Sequence, residues 1–258
     1  MFNKYKLSLL GLIIAVSPLG MLRADSIGVN FSGTANDGGP AGCTPCTLSA
    51  GDMAGVIAQG NWNNESGISG TAASLLNNLG VSTTATLSWT SGGTWGNGLA
   101  AANVGNTNAM LLNNYLDGGA NGIAAALTLT NIPYALYDVY VYIQRDNCCA
   151  FSDYTVNGQT QRVVTSGTSA GPGFMLASSS GMGNYVHFSD LSGDLHLSAN
   201  LDPADLRSAI DGIQVVQVFA PEPGSFLLLA LASAALLGMR FRRFQNWLRL
   251  GVASRIKA

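Results

Sequence analysis

Polar and apolar positions alternate through the middle of this chain. In LYDVYVYIQRD (136–146), Val139, Val141 and Ile143 fall on one side and Tyr140, Tyr142 and Gln144 on the other, the period-two pattern of a strand. SIGVNFS (26–32) and VSTTATLSWT (81–90) also read as strands, and IDGIQVVQVF (210–219) predicts a closing one. Two hairpins are expected. FSDYTVNGQTQRVVT (151–165) turns at Asn157-Gly158, a pair that accepts the left-handed backbone of a tight turn. YVHFSDLSGDLHLSA (185–199) turns at D-L-S-G, with Asp first and Gly fourth. NAMLLNNYLDG (108–118), ended by glycine, predicts one amphipathic helix, and 167–183 reads as a long flexible loop. Many short strands joined by Gly/Ser/Asn-rich loops predict an all-β fold, an antiparallel β-sandwich or jelly roll.

Both ends break the pattern. At the start, Lys4 and Lys6 precede an apolar run over 7–16, then Pro18, Gly20 and the small Ala24. That order predicts a signal peptide over 1–24, cut by signal peptidase, since the run is too short for about 30 Å of hydrocarbon. Near the other end stand Pro221, Glu222 and Pro223, an apolar stretch over 226–239, and Arg240, Arg242 and Arg243. A helix over 224–239 reaches only ~24 Å at 1.5 Å per residue, so it predicts a marginal transmembrane span with snorkelling arginines. The expected organisation is therefore a signal peptide (1–24), an extracellular β-sandwich (25–220), a sorting segment with its helix (221–243) and a basic cytoplasmic tail (244–258).

Charge follows the same division. Between 25 and 220 the basic residues are Arg145, Arg162 and Arg207, against thirteen acids, a net charge near −10. Such a body repels nucleic acid and anionic lipid, so no nucleic-acid partner is expected. All four cysteines, Cys43, Cys46, Cys148 and Cys149, fall in the exported part, and an even count there predicts two disulfides. A bridge within Cys148-Cys149 needs a strained ring, so each cysteine of CTPC is expected to pair with one of the two. A four-cysteine zinc site or a redox CxxC are the competing readings, disfavoured by the vicinal pair and the lack of a βαβ pattern.

Pro221-Glu222-Pro223, the apolar stretch and the arginines resemble a PEP-CTERM sorting signal, a segment also known as an ice-binding protein C-terminal domain. The resemblance implies recognition and cleavage by an exosortase-type transpeptidase of Gram-negative exopolysaccharide producers. It also implies export across the inner membrane, anchoring through the C-terminal helix, then delivery to the cell surface or matrix. Basic residues after the span keep the tail cytoplasmic. Residues 244–258 continue where such signals normally stop, and a cationic amphipathic tail lying in the membrane interface accounts for them. More loosely, the body resembles galactose-binding-like jelly-roll modules, through Val29-Asn30-Phe31, Asn61-Trp62-Asn63-Asn64, 137–142 and 210–214. That likeness implies a fold and no ligand.

Candidate chemistry is sparse. Flat aromatic rings bind the apolar side of a pyranose while neighbouring amides fix its hydroxyls. Trp62 with Asn63, and Trp95 with Asn97 among glycines, supply that combination, as does the Tyr140/Tyr142 face; Trp62 and Trp89 read equally as core. His187 and His196 face each other across the predicted hairpin near Asp190 and Asp194, a weak metal candidate without a third ligand. Asp37, Asp202, Asp205 and Asp211 could hold a structural calcium without any EF-hand spacing, so no cofactor is expected. GTSAG (167–171) matches a nucleophile elbow, but Pro172 and Gly173 forbid the helix that must follow. Glu65 has no spaced carboxylate partner, and Thr128-Leu129-Thr130 is a single Thr-x-Thr copy without an array. The expectation is a non-catalytic module binding extracellular polysaccharide matrix. A structural envelope or adhesion module is the alternative, and a glycan-active hydrolase comes third.

Overall fold

The computed structural model describes residues 24–33, 46–119, 122–149, 151–200 and 207–219. The expectations for residues 1–23, Asp37, Cys43, Asp202, Asp205 and everything from 220 onward, with Pro221, Glu222, Pro223, Arg240, Arg242 and Arg243, lie outside them. Among the described residues no helix is long and apolar enough to cross a membrane.

In chain order the first strands are β1 (Ser26–Phe31), β2 (Asn63–Glu65), β3 (Ser69–Ala73), β4 (Thr86–Thr90) and β5 (Gly93–Gly96). Two short helices follow, α1 (Leu99–Ala102) and α2 (Thr107–Leu111). Then come β6 (Asn114–Gly118), β7 (Ala125–Thr130), β8 (Tyr137–Tyr142), β9 (Phe151–Val156) and β10 (Gln159–Thr165). The last are β11 (Met182–Gly183), β12 (Tyr185–Leu191), β13 (Leu195–Asn200), β14 (Ser208–Ile210) and β15 (Gly212–Gln217). They form a five-stranded sheet, β12-β8-β15-β1-β2, a seven-stranded sheet, β11-β10-β9-β13-β7-β4-β3, and a small sheet, β14-β6-β5. Pairing is antiparallel except between β1 and β2 and between β10 and β11. The fold is thus an all-β sandwich.

Its main core follows from alternation. Ile27, Val29, Val139, Val141, Phe188, Ile213 and Val215 of the five-stranded sheet share one buried cluster with Leu87, Leu127, Leu129, Tyr154, Val156 and Leu197 of the seven-stranded sheet. β1 is buried at every residue because its second face is covered too. Trp62 lies so close over Gly28 that a methyl group there would sit 2.7 Å from its ring, which is why the strand carries glycine at that point. Trp62, Leu48, Leu99, Leu111, Leu112 and Tyr142 make a second, smaller core on this outer side. The hairpin of β9 and β10 turns at Asn157 (φ 47°) and Gly158 (φ 84°), as its sequence requires.

Three expectations are corrected. The helix expected over 108–118 stops at Leu111, and Asn114–Gly118 is β6. Asn106 caps α2 by accepting from the Ala109 amide, but the Asn113-Asn114 pair is a poor helix continuation, and strand pairing with β5 and β14 buries Tyr115 and Leu116 fully.

Residues 185–199 are no hairpin. β12 pairs with β8, whereas β13 pairs with β7 and β9, so residues 192–194 carry the chain from one sheet to the other. The cause is Leu191: a turn at D-L-S-G would expose it, but a register shift after Phe188, with Asp190 at φ 57°, turns Leu191 into the core, where Leu195 is also buried. His187 and His196 therefore belong to different sheets and hold no metal together.

The disulfide pairing differs as well. Cys148 and Cys149 are bonded to each other, so neither reaches CTPC, and Cys46 is disulfide-bonded independently. Each end is anchored separately. The Cys46 amide donates to Ser32 and its carbonyl accepts from Asn30 beside β1, while the Cys149 amide donates to Thr165 at the end of β10.

Candidate functional site

Alternation in YDVYVY places Asp138, Tyr140 and Tyr142 on the outer face of the five-stranded sheet, opposite Val139 and Val141. The same rule on β12 places Tyr185 and His187 beside them, because Tyr185 pairs with Tyr142 and His187 with Tyr140. The Tyr140 and His187 rings stack at 4.5 Å with 14° between their planes, and Tyr185 lies 6.2 Å from Tyr140. Phe174 completes the group, 5.3 Å from Tyr142 and 6.4 Å edge-on to Tyr185. Tyr140, Phe174, Tyr185 and His187 are all half-buried, so this is an aromatic face open to solvent.

Two sets of hydrogen bonds hold it in place. Asn184 fastens the Phe174 loop: its side-chain amide donates to Gly173 and Gln144, and its oxygen accepts from the Met175 amide. Tyr142 is fully buried and anchors a strap over its sheet, its hydroxyl donating to Gln214 and accepting from the Val56 amide, both at 2.9 Å. Burial pushes the Tyr142 phenol far above its ordinary range, so it stays a neutral hydrogen-bonding post. The Tyr140 phenol is raised too, first by burial, then by the Asp138 charge and Tyr185. Asp138 borders the face, one carboxylate oxygen 3.1 Å from His187 Nε2 and the other accepting from the Asp190 amide at 3.0 Å.

The residues singled out for sugar binding are not brought together elsewhere. Trp62 is 4% exposed, its indole donating to the Gln59 carbonyl, so it offers no face for stacking. Asn63 is spent on the backbone: it donates to Gly28 and Leu76 and accepts from the Leu76 amide. Asn97 is 6% exposed and bonds Leu112, Gln144 and Leu99 in the same way. Trp95 is half-buried opposite Tyr115, with its indole nitrogen buried and without a partner among the described residues. Trp89 packs in the main core. Of the stacking candidates, Trp95 and the Tyr140 side of the Tyr140/Tyr142 face are both half-exposed, and the Tyr140 side is the one grouped with further rings, Tyr185 and Phe174. Its further members Tyr185 and Asp138 were readable in the same alternation, while Phe174 sits in a loop whose sequence carries no such signal.

His196 lies on the outer face of the seven-stranded sheet, within 3.3 Å of Thr128. There the strands align short hydroxyl side chains. Thr160, Thr155, Ser198, Ala126, Thr90 and Ser69 form one cross-strand row, and His196, Thr128, Ser88 and Thr71 the next. A shallow depression of about 300 Å³ opens between Thr128, Asn157 and His196. Thr128 is thus one of several hydroxyls in register, an arrangement that pairing created and local sequence did not announce.

Among the described residues no three His, Cys, Asp or Glu side chains could hold a metal together. Residues Gly167–Ala170 form a 3-10 turn in which the Ser169 hydroxyl donates to the Ser166 carbonyl, not a nucleophile elbow. Burial alone raises the Glu65 carboxyl in β2. No protein-family model, no curated protein and no solved structure matches this chain.

Proposed function

We propose that this chain is an exported surface module whose β-sandwich binds extracellular polysaccharide through the Tyr140 face, without catalysis. The single observation that carries the reading is that face: three half-exposed aromatic rings and His187 grouped on the outer side of one sheet, positioned by Asn184 and Tyr142. Aromatic groups of this kind supply apolar contact to the C–H faces of sugar rings, and phenol hydroxyls at their rims can exchange hydrogen bonds with sugar hydroxyls. Delivery rests on the sequence pattern at the two ends. Signal peptidase releases the front, and an exosortase-type enzyme acts at Pro221-Glu222-Pro223 while the apolar stretch over 226–239 holds the chain in the inner membrane of a Gram-negative cell.

The test is affinity electrophoresis of the full chain through native gels containing the host exopolysaccharide and a panel of others. Retardation should weaken in Tyr140→Ala and Tyr185→Ala, with circular dichroism unchanged, and persist in Trp95→Ala. Unretarded migration in every gel refutes the glycan reading and leaves a structural envelope or adhesion module.

A further inference from the structure

The border of the Tyr140 face has a charge. Asp138 stands two residues from Tyr140 on β8 and on the same side of the sheet, so their Cα atoms are about 6.6–6.8 Å apart. Its carboxylate does not swing freely. His187 Nε2 and the Asp190 amide hold one oxygen each, beside the stacked Tyr140 and His187 rings, and the exposed Asp190 side chain adds a second acid there.

The arginines of the body are occupied elsewhere, while the face's own ionisable nitrogen, His187 Nε2, already lies 3.1 Å from Asp138 and leaves Asp190 as the acid with an exposed side chain. Arg207 makes a two-pronged pair with Asp117, Arg162 lies 3.4 Å from Asp153 and over the Phe151 ring, and Arg145 is buried at 3% exposure. The face therefore pairs electron-rich rings with carboxylates, on a body with three basic and thirteen acidic residues between 25 and 220.

We infer that the polymer taken by this face is an amino sugar with free ammonium groups, a partly or wholly deacetylated hexosamine chain. This inference rests on the Tyr140 face being the glycan site. An ammonium group on the sugar is attracted by the ring faces and by Asp138 and Asp190 together, whereas a uronate is repelled by both. A neutral sugar gains the apolar contact alone.

The experiment titrates the purified full-length chain calorimetrically with four ligands. These are a glucosamine hexamer with free amines, its N-acetylated counterpart, a galacturonate hexamer, and a lysine hexamer as a sugar-free cation. One exposed ion pair and one cation–π contact predict about five- to tenfold tighter binding of the free-amine sugar than of the acetylated one. That preference should shrink at high salt. It should also fall in Asp138→Asn, and partly in Asp190→Asn, an exposed position whose left-handed backbone asparagine also accepts. Tyr140→Ala should weaken both sugars. Equal or tighter binding of the acetylated sugar, or a lysine hexamer binding as tightly as the amino sugar, overturns the amino-sugar assignment and leaves the glycan face standing. If no sugar binds, the glycan face falls with it.

Discussion

Replacing Trp62 with alanine separates the two roles its sequence context allowed. In the structure the indole is 4% exposed, packs among Leu48, Leu99, Leu111 and Leu112, and meets Tyr142 edge-on at 6.1 Å. Its removal costs the transfer of an aromatic side chain plus a cavity, about 3–5 kcal/mol. The upper half of that range is expected for two reasons. Gly28 belongs to a strand hydrogen-bonded on both sides, so the sheet cannot move in to fill the space. The Gln59 carbonyl also loses its indole donor. At 2–4 °C per kcal/mol for a domain of this size, a cost of about 4 kcal/mol lowers the melting temperature by roughly 8–16 °C. Urea and thermal unfolding with disulfides intact measure this, and gel retardation well below the melting point should match the unaltered chain. A loss under about 1 kcal/mol, or lost retardation without lost stability, would show Trp62 to be an accessible sugar platform and refute the packing assigned to it.

Asp211 is fully buried, with one oxygen accepting from the Gln144 amide and the other without a partner among the described residues, and burial raises its carboxyl well above the usual range. Its protonated form is favoured in the fold, so its contribution is present below about pH 4 and lost as pH rises through the folded-state value. Asp211→Asn cannot titrate and should gain stability relative to the unaltered chain between about pH 4 and 7 by urea unfolding; an unchanged difference across that range contradicts the assignment. Peptide mapping without reduction should recover Cys148 and Cys149 in one peptide two hydrogens lighter than its reduced form. A cross-linked peptide joining either of them to CTPC would overturn the pairing.

Local pattern made part of the fold legible. Period-two alternation is a property of one strand, so β8 could be read from 136–146 with its two faces sorted, and Asn157-Gly158 specified its turn because few residues accept that backbone. The Tyr140 side of the candidate face was legible for the same reason. Its competitors were not separable from it, since an indole beside asparagines looks alike whether it faces solvent, as proposed for Trp62, or caps Gly28 from outside.

By itself the sequence determined the all-β class, the strong strands with their inner and outer residues, and the acidic charge of the body. These depend on neighbours one to four positions apart. Tertiary structure alone decided that Leu191 turns inward and parts His187 from His196, that Asn114 starts a strand, that Cys148 bonds to Cys149, and that Phe174 joins Tyr140 and Tyr185. Each of those outcomes compares alternatives that are locally near-equal. What separates them is burial against residues far along the chain, and that energy exists only once both sheets are in place.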